Sequence, residues 1–234
     1  MLEKPEELFR IPMFGHKVPI TETVVVQWVI MAILTVVAIV VTRNLKRIPN
    51  RKQTVVEMVV DSINGLVKTT MGESFQGFFG PYIGTLILFL LTMNLTGLVG
   101  IKPPTEDYSV ALGMGLSTFI IIQAYTIKKI GVLHYFLGYA KPYAFLTPIN
   151  IMERVMLPVS LSLRLFGNML AAGVMMELIY QALGGIIHIH SLSWITQIGL
   201  PVPLHAYFDI FDGTIQMIVF TMLTMINLKV IVEH

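Results

Sequence analysis

The chain has 234 residues, 55% of them hydrophobic and 13% charged, with a mean hydropathy of +0.75. A soluble domain carries roughly 25% charged residues, so too little charge remains here to cover a water-exposed surface, and lipid must be part of the solvent. The net charge of +2 argues against a nucleic-acid partner, which requires a basic face, and zero cysteines exclude disulfides and thiolate metal sites.

Residues 1–23 carry three basic and four acidic residues and no apolar run of signal-peptide type. Residues 24–42 contain no charge and are long enough to cross a bilayer. Behind them stand Arg43, Lys46, Arg47, Arg51 and Lys52, which the positive-inside tendency assigns to the cytoplasm, leaving the N-terminal segment outside. Residues 53–75 read differently. Glu57, Asp61, Asn64 and Lys68 form one polar stripe, with Val56, Val59, Val60, Ile63 and Val67 mostly away from it, as expected for an interfacial amphipathic helix.

A second span near 81–101 contains Asn94, a helix–helix hydrogen-bonding residue or part of a water path, with packing favoured. The loop Lys102–Tyr108 returns the chain to a third span near 109–127, where Gly113 and Gly115 suit close helix contact. Lys128, Lys129 and Lys141 mark a second cytoplasmic loop. Two over-long helices follow, near 150–190 and 201–232. At 1.5 Å per residue the stretch 155–190 of the first alone reaches about 54 Å against a hydrocarbon core of roughly 30 Å, so it must tilt or bend. Gly184 and Gly185 offer a bend, and 192–200 the turn between the two. The fold class expected is all-α integral membrane. A single membrane domain over 24–234 holds about five inserted helices, the last two forming a steeply tilted hairpin, with the C-terminus cytoplasmic.

Arg164 stands deep inside an apolar run. An arginine at mid-bilayer costs roughly 2.5–3.5 kcal/mol on insertion scales, which is tolerated mostly where the charge faces protein or water. Snorkelling and carbonyl capping are the structural alternatives. Ser160, Asn168 and Ala171 share its face, with Gly167 and Ala172 beside them, a surface small enough for another helix to approach closely. On the last helix Asp209, Asp212, Gln216 and Asn227 fall at i, i+3, i+7 and i+18, a polar line suited to an ion or proton relay or to a polar seam. Glu177 faces away from Arg164 and could line a separate access path with Asp209. His205 belongs either to that access region or to the interface. His188 and His190 do not share a helix face, so no metal site is expected, and no phosphate loop or nucleophile motif occurs.

The run SLSLRLFGNM, Ser160 to Met169, resembles the signature of subunit a of the F-type ATP synthase membrane sector. The upstream TPINIMERVMLPVSL, the earlier FLLTMNLTGL and the final FDIFDGTIQMIVFTML are similar to the same family's patterns, in the same order over nearly the whole chain. The resemblance implies a non-catalytic stator without cofactors in a bacterial plasma (inner) membrane. It would hold two ion half-channels against the c-ring and join the peripheral-stalk b subunits. It implies that Arg164 faces the ring carboxylate, that Asn168 and Gln216 are the signature amides, and that Asp209 is the acidic access residue, for H⁺ or Na⁺. The residues implied in translocation are thus Arg164, Asn168, Asp209 and Gln216, with Glu177, Asp212, Asn94 and His205 as further candidates. Gly173 departs from the pattern, because some members carry a glutamate there; Asp209 and Glu177 are the candidates to supply that acid.

Overall fold

The computed structural model describes residues 7–13, 16–43, 45–138, 144–186 and 201–233. Helices dominate: α1 (Glu22–Thr42), α2 (Arg51–Met71), α3 (Gln76–Asn94), α4 (Tyr108–Ile130), α5 (Val132–Gly138), α6 (Thr147–Ile186), α7 (Pro201–His205) and α8 (Gly213–Glu233). Between α7 and α8 the chain makes a π-helical segment, Ala206–Asp212. Five stretches are long and apolar enough to cross a membrane: Glu22–Thr42, Glu73–Val99, Tyr108–Ile130, Thr147–Leu183 and Pro201–Val232. The chain is an all-α integral membrane protein, and α2 is not among those five.

Three features depart from the sequence reading. The segment ahead of α1 forms an antiparallel hairpin, β1 (Glu7–Met13) with β2 (His16–Thr21), with an irregularity between Glu7 and Phe9. Pro12 and Pro19, which weaken a strand assignment, masked the alternation of Phe9, Ile11 and Met13. The second span begins several residues before Pro81 and closes in a 3-10 turn, Leu95–Val99, ending at Gly100 with φ 77°. Helix α6 begins at Thr147 and its helical bonding continues through Gly184 and Gly185 to Ile186. The expected turn at 192–200, with His188 and His190, lies outside the described residues.

Helix ends follow local chemistry. The Asp107 side chain accepts from the Ser109 backbone N–H at 2.9 Å and caps α4, while Lys128 and Lys129 occupy its last turn, where the helix dipole favours cations. Gly72 and Gly131 stop α2 and α4 at φ 101° and 89°, a region that disfavours residues with a Cβ. Thr23 Oγ1 donates to Asp107 Oδ2 at 3.0 Å, so the starts of α1 and α4 lie side by side.

The core has two parts. Leu90, Met93, Ala111, Leu161, Leu165 and Phe220 join α3, α4, α6 and α8. Val67, Phe75, Phe79, Ile83, Ile122, Met225 and Leu228 lock α2 against α3, α4 and α8. Lys129 Nζ stands 3.8 Å from the Phe75 ring centroid, and Lys229 Nζ donates to the Thr70 carbonyl at 3.3 Å, so basic residues gather at this end. Gly115 permits the α4–α6 crossing, because a Cβ there would lie 2.7 Å from the Pro158 carbonyl oxygen; Gly113 faces open space. Of the polar stripe on α2, Glu57, Asp61 and Lys68 are exposed and Asn64 is half-buried, its Oδ1 filling the notch at Gly80. Most of α1 presents exposed apolar side chains, including Trp28, Ile33, Val36 and Ile39.

Candidate functional site: an open arginine face and a polar end of the bundle

Leu161 and Leu165, one turn apart on α6, are buried against the core and fix the helix's rotation. The flank beside them, roughly a quarter turn around the helix, is left open. Ser160, Arg164, Gly167, Asn168 and Ala171 are all exposed there, and a Cβ on Gly167 would meet nothing within 4 Å. Among the described residues no carboxylate pairs with Arg164. A cation on a lipid-facing, small-residue surface is a costly arrangement unless something else covers it. Exposed Leu163, Val174 and Met175 border the strip with apolar surface.

Asn168, one turn after Arg164, links this face to the last helix. Its Nδ2 donates to Gln216 Oε1 at 2.7 Å, and Gln216 is 2% exposed. Gln216 Nε2 is buried without a hydrogen-bond partner, a group of the kind that costs about 1–3 kcal/mol to leave unsatisfied. The two amides thus stand together, with Asn168 one turn from the arginine.

The line of Asp209, Asp212, Gln216 and Asn227 is not continuous. The i→i+5 bonding of the π segment widens the turn between Ala206 and Asp212, so α-helical spacing does not carry from Asp209 to Gln216. Asp209 and Asp212 are half-buried, Asn227 is half-buried on α8, and Gln216 is sealed inside. Asp209 instead joins a different set. His205 Nδ1 donates to Asp209 Oδ2 at 3.0 Å, and the Tyr180 hydroxyl lies 3.1 Å from His205 Nε2. A carboxylate accepts only, so Nδ1 carries a proton toward Asp209, and Nε2 is the nitrogen that meets the tyrosine hydroxyl. The result is a Tyr180–His205–Asp209 chain joining α6, α7 and the π segment. Glu177 is exposed and accepts from Gln181 Nε2 of its own helix at 3.2 Å; no contact brings it to Asp209.

Three glycines make this end possible. A Cβ on Gly97 would lie 2.8 Å from the Asp209 carboxylate, one on Gly213 3.1 Å from Asn94 Cβ, and one on Gly173 2.8 Å from Glu106 Oε1. Asn94 is fully buried. Its Nδ2 donates to the Gly213 carbonyl at 2.9 Å, and its Oδ1 accepts from Thr105 Oγ1 at 3.2 Å. Asn94 therefore clamps α3, the 100–107 loop and the start of α8, which accounts for it as a packing residue. Sequence reasoning missed Glu106 and Thr105. The signal was there, an acid and a hydroxyl between a buried Pro103–Pro104 pair and the capping Asp107, but it reads as an ordinary loop. Burial pushes the Glu106 carboxyl above its ordinary range; Lys102 pulls it down and Asp209 pushes it up.

Comparison with known proteins points to one family. The family described as "ATP synthase A chain" matches residues 24–229. A protein named ATP synthase subunit a from Moorella thermoacetica is 33% identical, covering 94% of this chain and 93% of the relative. One from Staphylococcus saprophyticus is 35% identical over 92% of each. A protein from Propionigenium modestum named ATP synthase subunit a, sodium ion specific, is 33% identical over 90% of this chain and 74% of its own length.

Proposed function

We propose, for a chain that belongs to the ATP synthase subunit a family, that it is the ion-conducting stator of the membrane sector, with Arg164 facing a rotating c-ring. The observation that carries this reading is the exposed Arg164 on a strip of small residues, without a carboxylate of its own among the described residues. A ring carboxylate moving through lipid must be neutral, protonated or ion-bound. Beside a cation it favours the ionised form, its pKa falling by roughly 1–3 units. Arg164 thus makes an arriving carboxylate release its ion, and its fixed charge stands between the two half-channels as a barrier to leak. Arginine suits this task because, unlike lysine, its side chain keeps its charge in apolar surroundings. Each charge crossing the membrane gains about 2.3 kcal/mol per 100 mV.

The Tyr180–His205–Asp209 chain and the 100–107 loop lie near the starts of α4 and α8, at the end of the bundle opposite Lys128, Lys129 and Lys229. With those basic residues in the cytoplasm, this polar end is the outer access route, and the C-terminus of α8 lies on the cytoplasmic side of a bacterial plasma membrane. Asp209 and His205 are then ion-handling groups, Asn168 and Gln216 line the approach to Arg164, and Asp212 borders the same route. Glu177, exposed and turned from Asp209, is a rim residue. ATP chemistry belongs to other subunits, and b subunits find apolar surface on α1. The absence of native cysteine allows a direct test. In the assembled complex Ala171→Cys should form a disulfide with a cysteine placed beside the ring carboxylate, while Ile33→Cys on α1 should not. No adduct from Ala171→Cys, or equal adducts from both positions, would refute the assignment.

A further inference from the structure

Glu106 is held from both sides. Pro103, Pro104 and Thr105 before it are buried, and Thr105 is bonded to Asn94. Asp107 after it caps α4 and accepts from Thr23. With its neighbours pinned, the glutamate is half-buried and keeps only part of its surface toward water. It reaches across to α6, where its Oε1 lies 2.8 Å and its Cδ 3.3 Å from the position of a Cβ on Gly173. Only a glycine at 173 leaves that space. The charged groups that act on Glu106 are Lys102 of its own loop and Asp209 of the π segment, with His205 and Tyr180 behind Asp209.

We infer that Glu106 is a proton-transfer residue of the outer access route, a carboxylate delivered by the loop into the Gly173 notch to pass protons between water and Asp209. This rests on the stator reading above. The step moves a proton only: the O–H bond of the Glu106 carboxyl breaks, an O–H bond forms on the Asp209 carboxylate, and Glu106 takes its next proton from bulk water. Burial holds the proton on Glu106 more firmly than on an exposed glutamate, so the group is loaded at a pH where a surface carboxylate is empty.

The test uses membrane vesicles bearing the whole complex, with ATP-driven proton uptake and passive proton conductance measured across a pH series. Glu106→Gln should lower both rates several-fold and flatten their pH dependence, with normal amounts of assembled complex. Gly173→Ala, which crowds the carboxylate out of the notch and leaves Glu106 itself unchanged, should give the same loss. The pair Glu106→Gln with Gly173→Ala should lose no more than either alone. Glu106→Ala with Gly173→Glu returns a carboxylate to the notch from the helix side and should recover much of the rate. Wild-type rates and pH profile in Glu106→Gln, no recovery in the relocated variant, or a wild-type complex that moves Na⁺ and no protons would each overturn the inference. Arg164→Ala in the same vesicles separates the two readings. If it abolishes pumping while Glu106→Gln does nothing, only this inference falls; if it pumps normally, the stator reading falls and takes this one with it.

Discussion

Replacing Asn94 by alanine tests whether one buried amide holds the polar end together. The side chain is fully buried and makes two bonds between elements, to the Gly213 carbonyl at 2.9 Å and from Thr105 at 3.2 Å. Hydrogen bonds between membrane helices are worth about 0.6 kcal/mol each on average. The Gly213 carbonyl keeps a lone pair for its own helix, but the Thr105 hydroxyl is left buried with no acceptor, a penalty of about 1 kcal/mol or more. The total destabilisation expected is about 2 kcal/mol. Thr105→Val removes only the longer bond and should cost about 1 kcal/mol, chiefly from the orphaned Asn94 oxygen. Combined with Asn94→Ala it should add almost nothing, because the partner is already gone. Reversible SDS unfolding of the purified subunit in mixed micelles, followed by far-ultraviolet circular dichroism, measures all three variants. A change below about 0.5 kcal/mol for Asn94→Ala, or strict additivity in the pair, would refute the clamp.

Other outcomes follow from the same geometry. Glu106 has its carboxyl raised in the folded state, chiefly by burial, so folding favours its protonated form. Its contribution is complete below the ordinary glutamate range and is lost as pH rises through the raised folded value. SDS stability should therefore fall across that window in the native chain, and Glu106→Gln should remove that component of the slope. Gly115→Val should destabilise the α4–α6 crossing by about 1–3 kcal/mol through overpacking against the Pro158 carbonyl. Gly113→Ala, in open space, should leave stability unchanged or slightly raised in the same titration.

Much of the architecture was legible because lipid imposes simple rules. Uncharged runs of spanning length and basic flanks marked α1, α3 and α4, and the surplus length of α6 was visible as a count of residues. Arg164 and the small residues on its face stood out because an intramembrane charge has few harmless explanations. The pairing of Asn168 with Gln216 followed from the family pattern, since no spacing rule joins residues on different helices. What stayed hidden depended on tertiary contact. The π segment looks like α-helix in one dimension, and its packing against Gly97 is visible only in three. The Tyr180–His205–Asp209 chain joins three elements and so has no linear signature. Gly97, Gly173 and Gly213 read as ordinary membrane glycines until the side chains that fill their notches are placed. Glu106 was overlooked because an acid in a short loop normally belongs to water, and only the buried residues around it turn it inward.

The central claim is that Arg164 acts on a moving carboxylate by its charge and its position. ATP-driven proton uptake by vesicles containing the assembled complex, compared for the native chain, Arg164→Lys and Arg164→Ala, tests it most directly. The account predicts that both variants assemble with the ring and that neither sustains coupled pumping. Pumping by Arg164→Ala at the native rate would contradict it, because no fixed positive charge would then be needed where the ring passes.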